Sequence, residues 1–399
     1  MQELSIETTK SDIPGRIEHD DLDRDAVRQR VIGHLLGLGF IRSGDEFNLE
    51  GALTKERIRS LYVGVREQNL AKHRAFLSQH MADLLDEFAN GKEMEPEALT
   101  PKLEVVHAGT RESHLFRLAS LLWSVPVSAG YGRRMRFLVK DASNGKLIGI
   151  FALGDPVFNL RARDQWIGWS SDDRKQRLAH VMDAYVVGAV PPYSMLIGGK
   201  LVALLATCNE VRDAYARKYL ERVSVIARRQ RRAHLVLLTT SSALGRSSLY
   251  NRLRIPDGPS FEKIGETGGY GHFHISGDLF DLLRDFLTKL DHPYASGNRF
   301  GMGPNWKLRV IRVALQELGL DSKNILQHGI SREVFAAPLA LNWRAILEGT
   351  EVSPEHANWS AQAIAGYCKT RWLLPRSRND RRYLAFRPQQ IPAMIGWEG

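Results

Sequence analysis

Residues 183–206 read DAYVVGAVPPYSMLIGGKLVALLA, and the fold of the chain turns on them. Tyr185 to Val190 form a β-branched, apolar run of strand length. Pro191 and Pro192 end it, because neither has an N–H to give a sheet ladder. A short loop follows, then Gly198 and Gly199 open an apolar stretch with helical spacing, Leu201, Leu204 and Leu205, continuing to Val211 and Tyr215. A strand feeding a glycine-opened helix exposes unpaired N–H groups and the positive end of the helix dipole. Gly198 and Gly199 are therefore candidates for holding an anionic cofactor group. Tight strand-to-helix packing with no ligand is the other reading of the same glycines.

Working outward, RMRFLVKD (134–141) and KLIGIFALGD (146–155) flank Ser143-Asn144-Gly145 and read as a hairpin. A second β-rich run, HLVLLTT (234–240), precedes SSALGRSSLYNRL (241–253). The order is hairpin, strand, glycine-opened helix, strand, then a short helix carrying Tyr250. The fold class expected is α+β, with a central mixed sheet and helical N- and C-terminal regions.

This order resembles the GNAT acetyltransferase family over about residues 130–275. The resemblance implies that the glycine turn cradles acetyl-coenzyme A, that Tyr250 protonates the departing thiolate, and that Asp183 is the general base through water. The family's turn is usually Arg or Gln, two residues, Gly, one residue, then Gly or Ala. Setting its first glycine on Gly198 puts Met195 and Lys200 at positions that depart from it, so the scaffold reads as degenerate.

A second resemblance spans most of the chain. LFRLASLLWSVPVSAGYGRRMRFLV (115–139), LIGIFALGDPVFNLRARDQWIGW (147–169) and VMDAYVVGAVPPYSMLIGGKL (181–201) look like the DruA family, the A components of Druantia antiphage systems. So do GYGHFHI (269–275), NRFGMGPNWKLRVIRVAL (298–315) and HGISREVFAAPLA (328–340). The resemblance implies a cytoplasmic bacterial defence protein that works with other Druantia proteins.

At 399 residues with 43% hydrophobic residues, the chain is long enough for two domains and apolar enough for a full core. No run of about 18 apolar residues suggests a membrane span. The polar, acidic opening MQELSIETTKSDIPGRIEHDDLDRD is unlike a secretory signal, so a cytoplasmic location is expected. Two distant cysteines, Cys208 and Cys368, support neither a disulfide framework nor a zinc cluster. The expected organisation is a flexible acidic lead over 1–22, a helical region over 23–100, the mixed domain over 101–290 and a helical, basic region over 291–399. Within the second part, Thr54 reads as the N-cap of one long helix or two joined ones, closed by Asn90-Gly91.

A net charge of +10 is the compositional signal about partners. Arg228, Arg229, Arg231 and Arg232 form one cluster, and Arg376, Arg378, Arg381 and Arg382 form another, interleaved with Trp372 and Tyr383. Guanidinium forks suit phosphates and aromatic rings stack on unpaired bases, so nucleic acid is the expected partner. A solvated face, or an acidic partner protein, accounts for the same charges.

The remaining candidates are weaker. Asp141, Asp155 and Asp183 fall at strand ends, where carboxylates can hold Mg²⁺ for phosphodiester chemistry or simply cap turns. His272 and His274, two apart in an expected GHFHI strand, would face one side, as half of a metal site or as a hydrogen-bonded pair. The residues identify no cofactor. A binding module on a degenerate acetyltransferase scaffold therefore stands beside an enzyme, either a metal-dependent nuclease or an acyl transferase.

Overall fold

The computed structural model describes residues 23–127, 132–220, 233–275, 277–295 and 306–398. Its contacts divide the chain into two units. One unit joins the described part of Met1–Glu50 to Ile275–Leu326; the other joins Gly51–His274 to Gln327–Gly399.

The smaller unit is mainly helical. In the Arg24–Gly37 helix, Val27, Val31 and Leu35 recur one turn apart and are buried. Gly39, just past its end, has φ +81°, the left-handed conformation that glycine adopts at helix C-termini. A hairpin of β1 (Phe40–Ser43) and β2 (Glu46–Leu49) follows. The Asp278–Lys289 helix buries Leu279, Leu282, Leu283 and Phe286, the face expected from its spacing. Together with Val310, Ile311, Ala314 and Leu315 of the Trp306–Glu317 helix they form one apolar cluster. Ser276, expected as an N-cap, lies outside the described residues, and Gly277 occupies the cap position.

In the larger unit, the described residues form a seven-stranded sheet of order β3-β4-β5-β6-β7-β9-β8. Its strands are β3 (Pro101–Val105), β4 (Arg134–Asp141), β5 (Leu147–Gly154), β6 (Val181–Ala189), β7 (Leu237–Ser241), β8 (Glu262–Glu266) and β9 (Glu333–Pro338). Every neighbouring pair is antiparallel except β6 and β7, which run parallel. The expected hairpin is β4–β5, and all of β5 is buried because helices cover both of its faces. One cluster takes Phe137 and Phe151 with Leu201, Leu204 and Ile364; the other takes Leu138 and Ile150 with Leu77, Leu118 and Ile391. The fold class is α+β with a mixed sheet.

Three local expectations need correction. Thr54 does cap a helix, its side chain accepting from Arg57 N at 3.2 Å, but residues 55–85 form three helices, Lys55–Ser60, Val63–Lys72 and Arg74–Leu85. The glycine pair does open a helix, Lys200–Leu205 with Gly199 at its N-cap, but the loop expected before the pair is itself a helical turn. Tyr193–Ile197 is already helical, because the fully buried Tyr193 draws the chain inward and its hydroxyl reaches Asp141 Oδ2 at 3.1 Å and Asn144. Gly198, at φ +55°, then separates that turn from the Lys200–Leu205 helix. Finally, GHFHI is not a strand: it follows Gly268 and Gly269 (φ +64°) and lies in turns beyond the end of β8.

Candidate functional site

β6 and β7 pair for three residues only, Val181↔Leu237, Met182↔Leu238 and Asp183↔Thr239. Beyond Asp183, β6 continues to Ala189 with no ladder partner on that side among the described residues. Side chains close the seam where the backbone pairing stops. Thr239 Oγ1 donates to Asp183 Oδ1 at 2.8 Å, and Thr240 Oγ1 donates to the Ala184 carbonyl at 2.8 Å. The Tyr250 hydroxyl lies 3.4 Å from Thr240 Oγ1. Strand pairing thus brings Asp183 and Tyr250 to one place, although Leu249–Leu253 is a turn and not the short helix expected.

Electrostatics separate their behaviour. Burial pushes the Asp183 carboxyl up to about 6, against the pull of Thr239 and of Arg163. Burial also pushes the Tyr250 hydroxyl up to about 12, with the Asp183 charge adding to the rise. Near neutral pH the pair is a carboxyl close to its titration point beside a phenol that keeps its proton, a base and an acid in reach of each other's field. Tyr250 is also buried between Phe261 and Phe335, so its ring is part of the core.

The other strand-end carboxylates do not join them. The β4–β5 register pairs Arg134 with Gly154 and Lys140 with Leu147, so Asp141 and Asp155 stand at opposite ends of the hairpin. Seven residues of strand put them on the order of 20 Å apart. Asp141 is fully buried and accepts from Thr100 N, Ser143 N, Ser143 Oγ and Tyr193 Oη, a turn-capping role. Asp155 is paired with Arg133, Nε to Oδ1 at 2.7 Å. A shared metal site for the three aspartates is therefore ruled out by register.

His272 and His274 lose their same-face argument with the strand. His274 is buried near His328, ring centroids 5.9 Å apart, with Phe273 packed against both. Burial, with Arg332 adding to it, holds the His328 imidazole down at about 4, so it stays neutral. Among the described residues, no three His, Cys, Asp or Glu side chains are grouped to hold a metal ion.

Past the end of the paired seam lies an open groove of about 720 Å³. Gly188 and Gly199 line it, with Trp123, Lys200, Ser248 and Arg376. Glycine is required at 188, since a Cβ there would meet the Trp123 ring at 2.3 Å. The structure thus joins the glycine pair to the C-terminal arginine cluster. Trp372 lies beneath Lys200, whose Nζ is 4.8 Å from the ring centroid. Among the described residues no carboxylate lines the groove, and Lys200 and Arg376 make no ion pair within 4 Å. Arg378 and Arg381 are exposed, while Arg382 is held by Asp380 through two hydrogen bonds, of 2.9 and 2.6 Å.

Tyr383 is a correction: its side chain is buried, and its carbonyl stands where a Cβ on Gly91 would sit, so its ring offers no face to a base. Arg228, Arg229, Arg231 and Arg232 lie outside the described residues. Lys200 and Trp123 were missed as groove residues, and their only sequence signal was a lysine after a glycine pair and a tryptophan in a long block.

The profile of the family described as Druantia protein DruA matches residues 52–349. A Druantia protein DruA of Escherichia coli (strain UMEA 4076-1) is 44% identical over 379 residues, covering 95% of this chain and 94% of that protein. No solved structure matches. On a match of this extent and identity, the chain belongs to the DruA family.

Proposed function

We propose that this chain serves a Druantia antiphage defence system by binding nucleic acid along the groove that opens where β6 and β7 part, on an acetyltransferase-like scaffold. The family supports the defence role and, with it, partnership with other Druantia proteins. The observation that carries the molecular reading is the groove lining: Lys200 and Arg376, no carboxylate, and an indole under Lys200. Cations of this kind attract phosphates by releasing counterions, and the exposed Arg378 and Arg381 follow Arg376 closely in the chain. The scaffold reading rests on the succession of hairpin, strand, helical connection and parallel strand, with Tyr250 just beyond. A cytoplasmic setting is part of the proposal; no described helix is long and apolar enough to cross a membrane.

Gel-shift titrations at two salt concentrations test this. Replacing Arg376, Arg378, Arg381 and Arg382 by Ala is expected to weaken binding to all sequences alike and to flatten the salt dependence. Failure of the wild-type protein to bind DNA or RNA at low salt overturns the reading and assigns the charge to an acidic protein. An acyl transferase is the second reading, favoured by the Asp183 and Tyr250 pair at the seam. Thermal stabilisation by acetyl-coenzyme A and not by nucleic acid would give it precedence; ligand at a hundred times its Kd adds about 2.7 kcal/mol.

A further inference from the structure

A second cationic hollow lies in the larger unit, of about 410 Å³, and it shares no lining residue with the groove. Arg117, Arg134, Arg136 and Lys218 line it with His73 and His107, and among the described residues no carboxylate does. Its walls are ordered elements. Arg134 and Arg136, two apart on β4, share a face of the sheet. Arg117 comes from the Arg111–Ser120 helix and Lys218 from the last turn of the Asn209–Tyr219 helix.

Arg117, Arg136 and Lys218 are braced by uncharged groups. Lys218 Nζ donates to the Arg134 carbonyl at 2.8 Å. The Arg117 guanidinium lies 4.7 Å from the centroid of Phe76, and that of Arg136 lies 5.7 Å from Phe116. A β-bulge, where Ala152 pairs Val186 and Leu153 pairs Ala184, leaves Tyr185 as the extra residue of β6, and Tyr185 also lines the hollow. Burial pushes the pKa of its hydroxyl up, and the Arg134 and Arg136 charges oppose that rise, so both act on the same ring.

The like charges of Arg117, Arg136 and Lys218 around one cavity repel each other, and an anion relieves that repulsion. Guanidinium forks match the oxygens of a phosphate group. A phosphomonoester carries close to two negative charges at neutral pH, more per group than the diester of an internal linkage. The volume lies within the range of small-ligand sites, about 300–1,000 Å³, and the rings of Tyr185, His73 and His107 offer surface beyond the phosphate. We propose that this hollow binds the terminal phosphate of a nucleotide, either free or at the 5′ end of a nucleic acid. The proposal stands on these residues and not on the groove.

The full chain is titrated with a 5′-mononucleotide and with its nucleoside, followed by thermal shift and calorimetry. The nucleotide is expected to raise Tm and the nucleoside not to. R117Q, an exposed change on a helix, and R136Q are each expected to weaken nucleotide binding at least tenfold, while R376A leaves it unchanged. Equal shifts from nucleotide and nucleoside, or wild-type nucleotide affinity in R117Q and a folded R136Q, overturn the proposal. Paired oligonucleotides with 5′-phosphate or 5′-hydroxyl ends identify the source. A tenfold preference for the phosphate, lost in R117Q, supports a nucleic-acid end; nucleotide binding without that preference supports a free nucleotide. A failure of the groove reading abolishes oligonucleotide binding that depends on Arg376 and leaves the mononucleotide result intact.

Discussion

Arg133 and Arg136 stand three residues apart in the run RRMR, and the fold uses them in opposite ways. Arg133 is held on all sides: Nε by Asp155, one terminal nitrogen by the Ala179 carbonyl at 2.6 Å and by the Tyr215 hydroxyl, the other by the Val181 carbonyl at 3.1 Å. Arg136 rests on the face of Phe116 and turns its charge into an open hollow. The first kind of cation positions the chain around β6; the second leaves its field available to a ligand. A net charge of +10 does not distinguish them, because only burial and partners decide which arginine is free to act.

The sharpest test of this contrast is Arg163, fully buried and paired with Asp164 at 2.7 Å while donating to the carbonyls of Val157 and Phe158. Arg163→Ala removes all of these donors and leaves Asp164 with Arg174 alone. We expect a loss of about 3–5 kcal/mol in urea unfolding. A loss below about 1 kcal/mol would place Arg163 with the available cations and break the comparison.

Arg133→Ala comes next. Its pair with Asp155 is partly open to water, so the expected loss is smaller, about 2–3 kcal/mol. A double-mutant cycle with Asp155→Ala is expected to show coupling of about 1 kcal/mol or more, and strict additivity would mean that the two side chains act independently.

Asp183 is hydrogen-bonded by Thr239 and feels Arg163 only at longer range, and its effect has the opposite sign. Its folded-state value of about 6 stands above the ordinary 3.8, so between those values the folded protein binds more protons than the unfolded chain. Its contribution to stability therefore falls as pH rises from about 4 to about 6 and is unfavourable above that. Asp183→Asn keeps an acceptor for Thr239 and removes the charge. It is expected to stabilise the protein at pH 7 by up to about 3 kcal/mol and to flatten stability across that window. Destabilisation at pH 7 would show that the charged form is the one the fold favours. The smallest effect belongs to Arg136→Gln, with stability within about 0.5 kcal/mol of wild type.

What the sequence makes legible follows the range of the interactions. The β4–β5 hairpin and β6 are local, written as apolar runs broken by Asn-Gly and by Pro-Pro, and both stand where expected. β9, which separates β7 from β8, reads EVFAAP, with two alanines and a proline, too short and too weak in β-formers to announce itself. Its place depends on partners about a hundred residues earlier for β7 and seventy for β8. The same rule governs charge. Arg376, Arg378, Arg381 and Arg382 are visible as a cluster because they are neighbours in the chain. Arg117, Arg134, Arg136 and Lys218 gather only after a helix, a strand and a second helix have packed. Tyr383 and the histidine pair show the reverse error, in which proximity in sequence suggested a shared exposed face that packing and turns removed.

The division of the chain has a consequence for biosynthesis. The apolar face of the Arg24–Gly37 helix is covered by residues from Ile275 onward, so its partners leave the ribosome more than two hundred residues later. At roughly 5–20 residues per second, Val27, Val31 and Leu35 wait on the order of twelve to fifty seconds for cover. Throughout that interval the larger unit is also incomplete, because β9 is made later still. The emerging chain thus carries two unfinished cores at once, and a chaperone that shields the first helix early in translation would raise the yield of folded protein more than one acting after release.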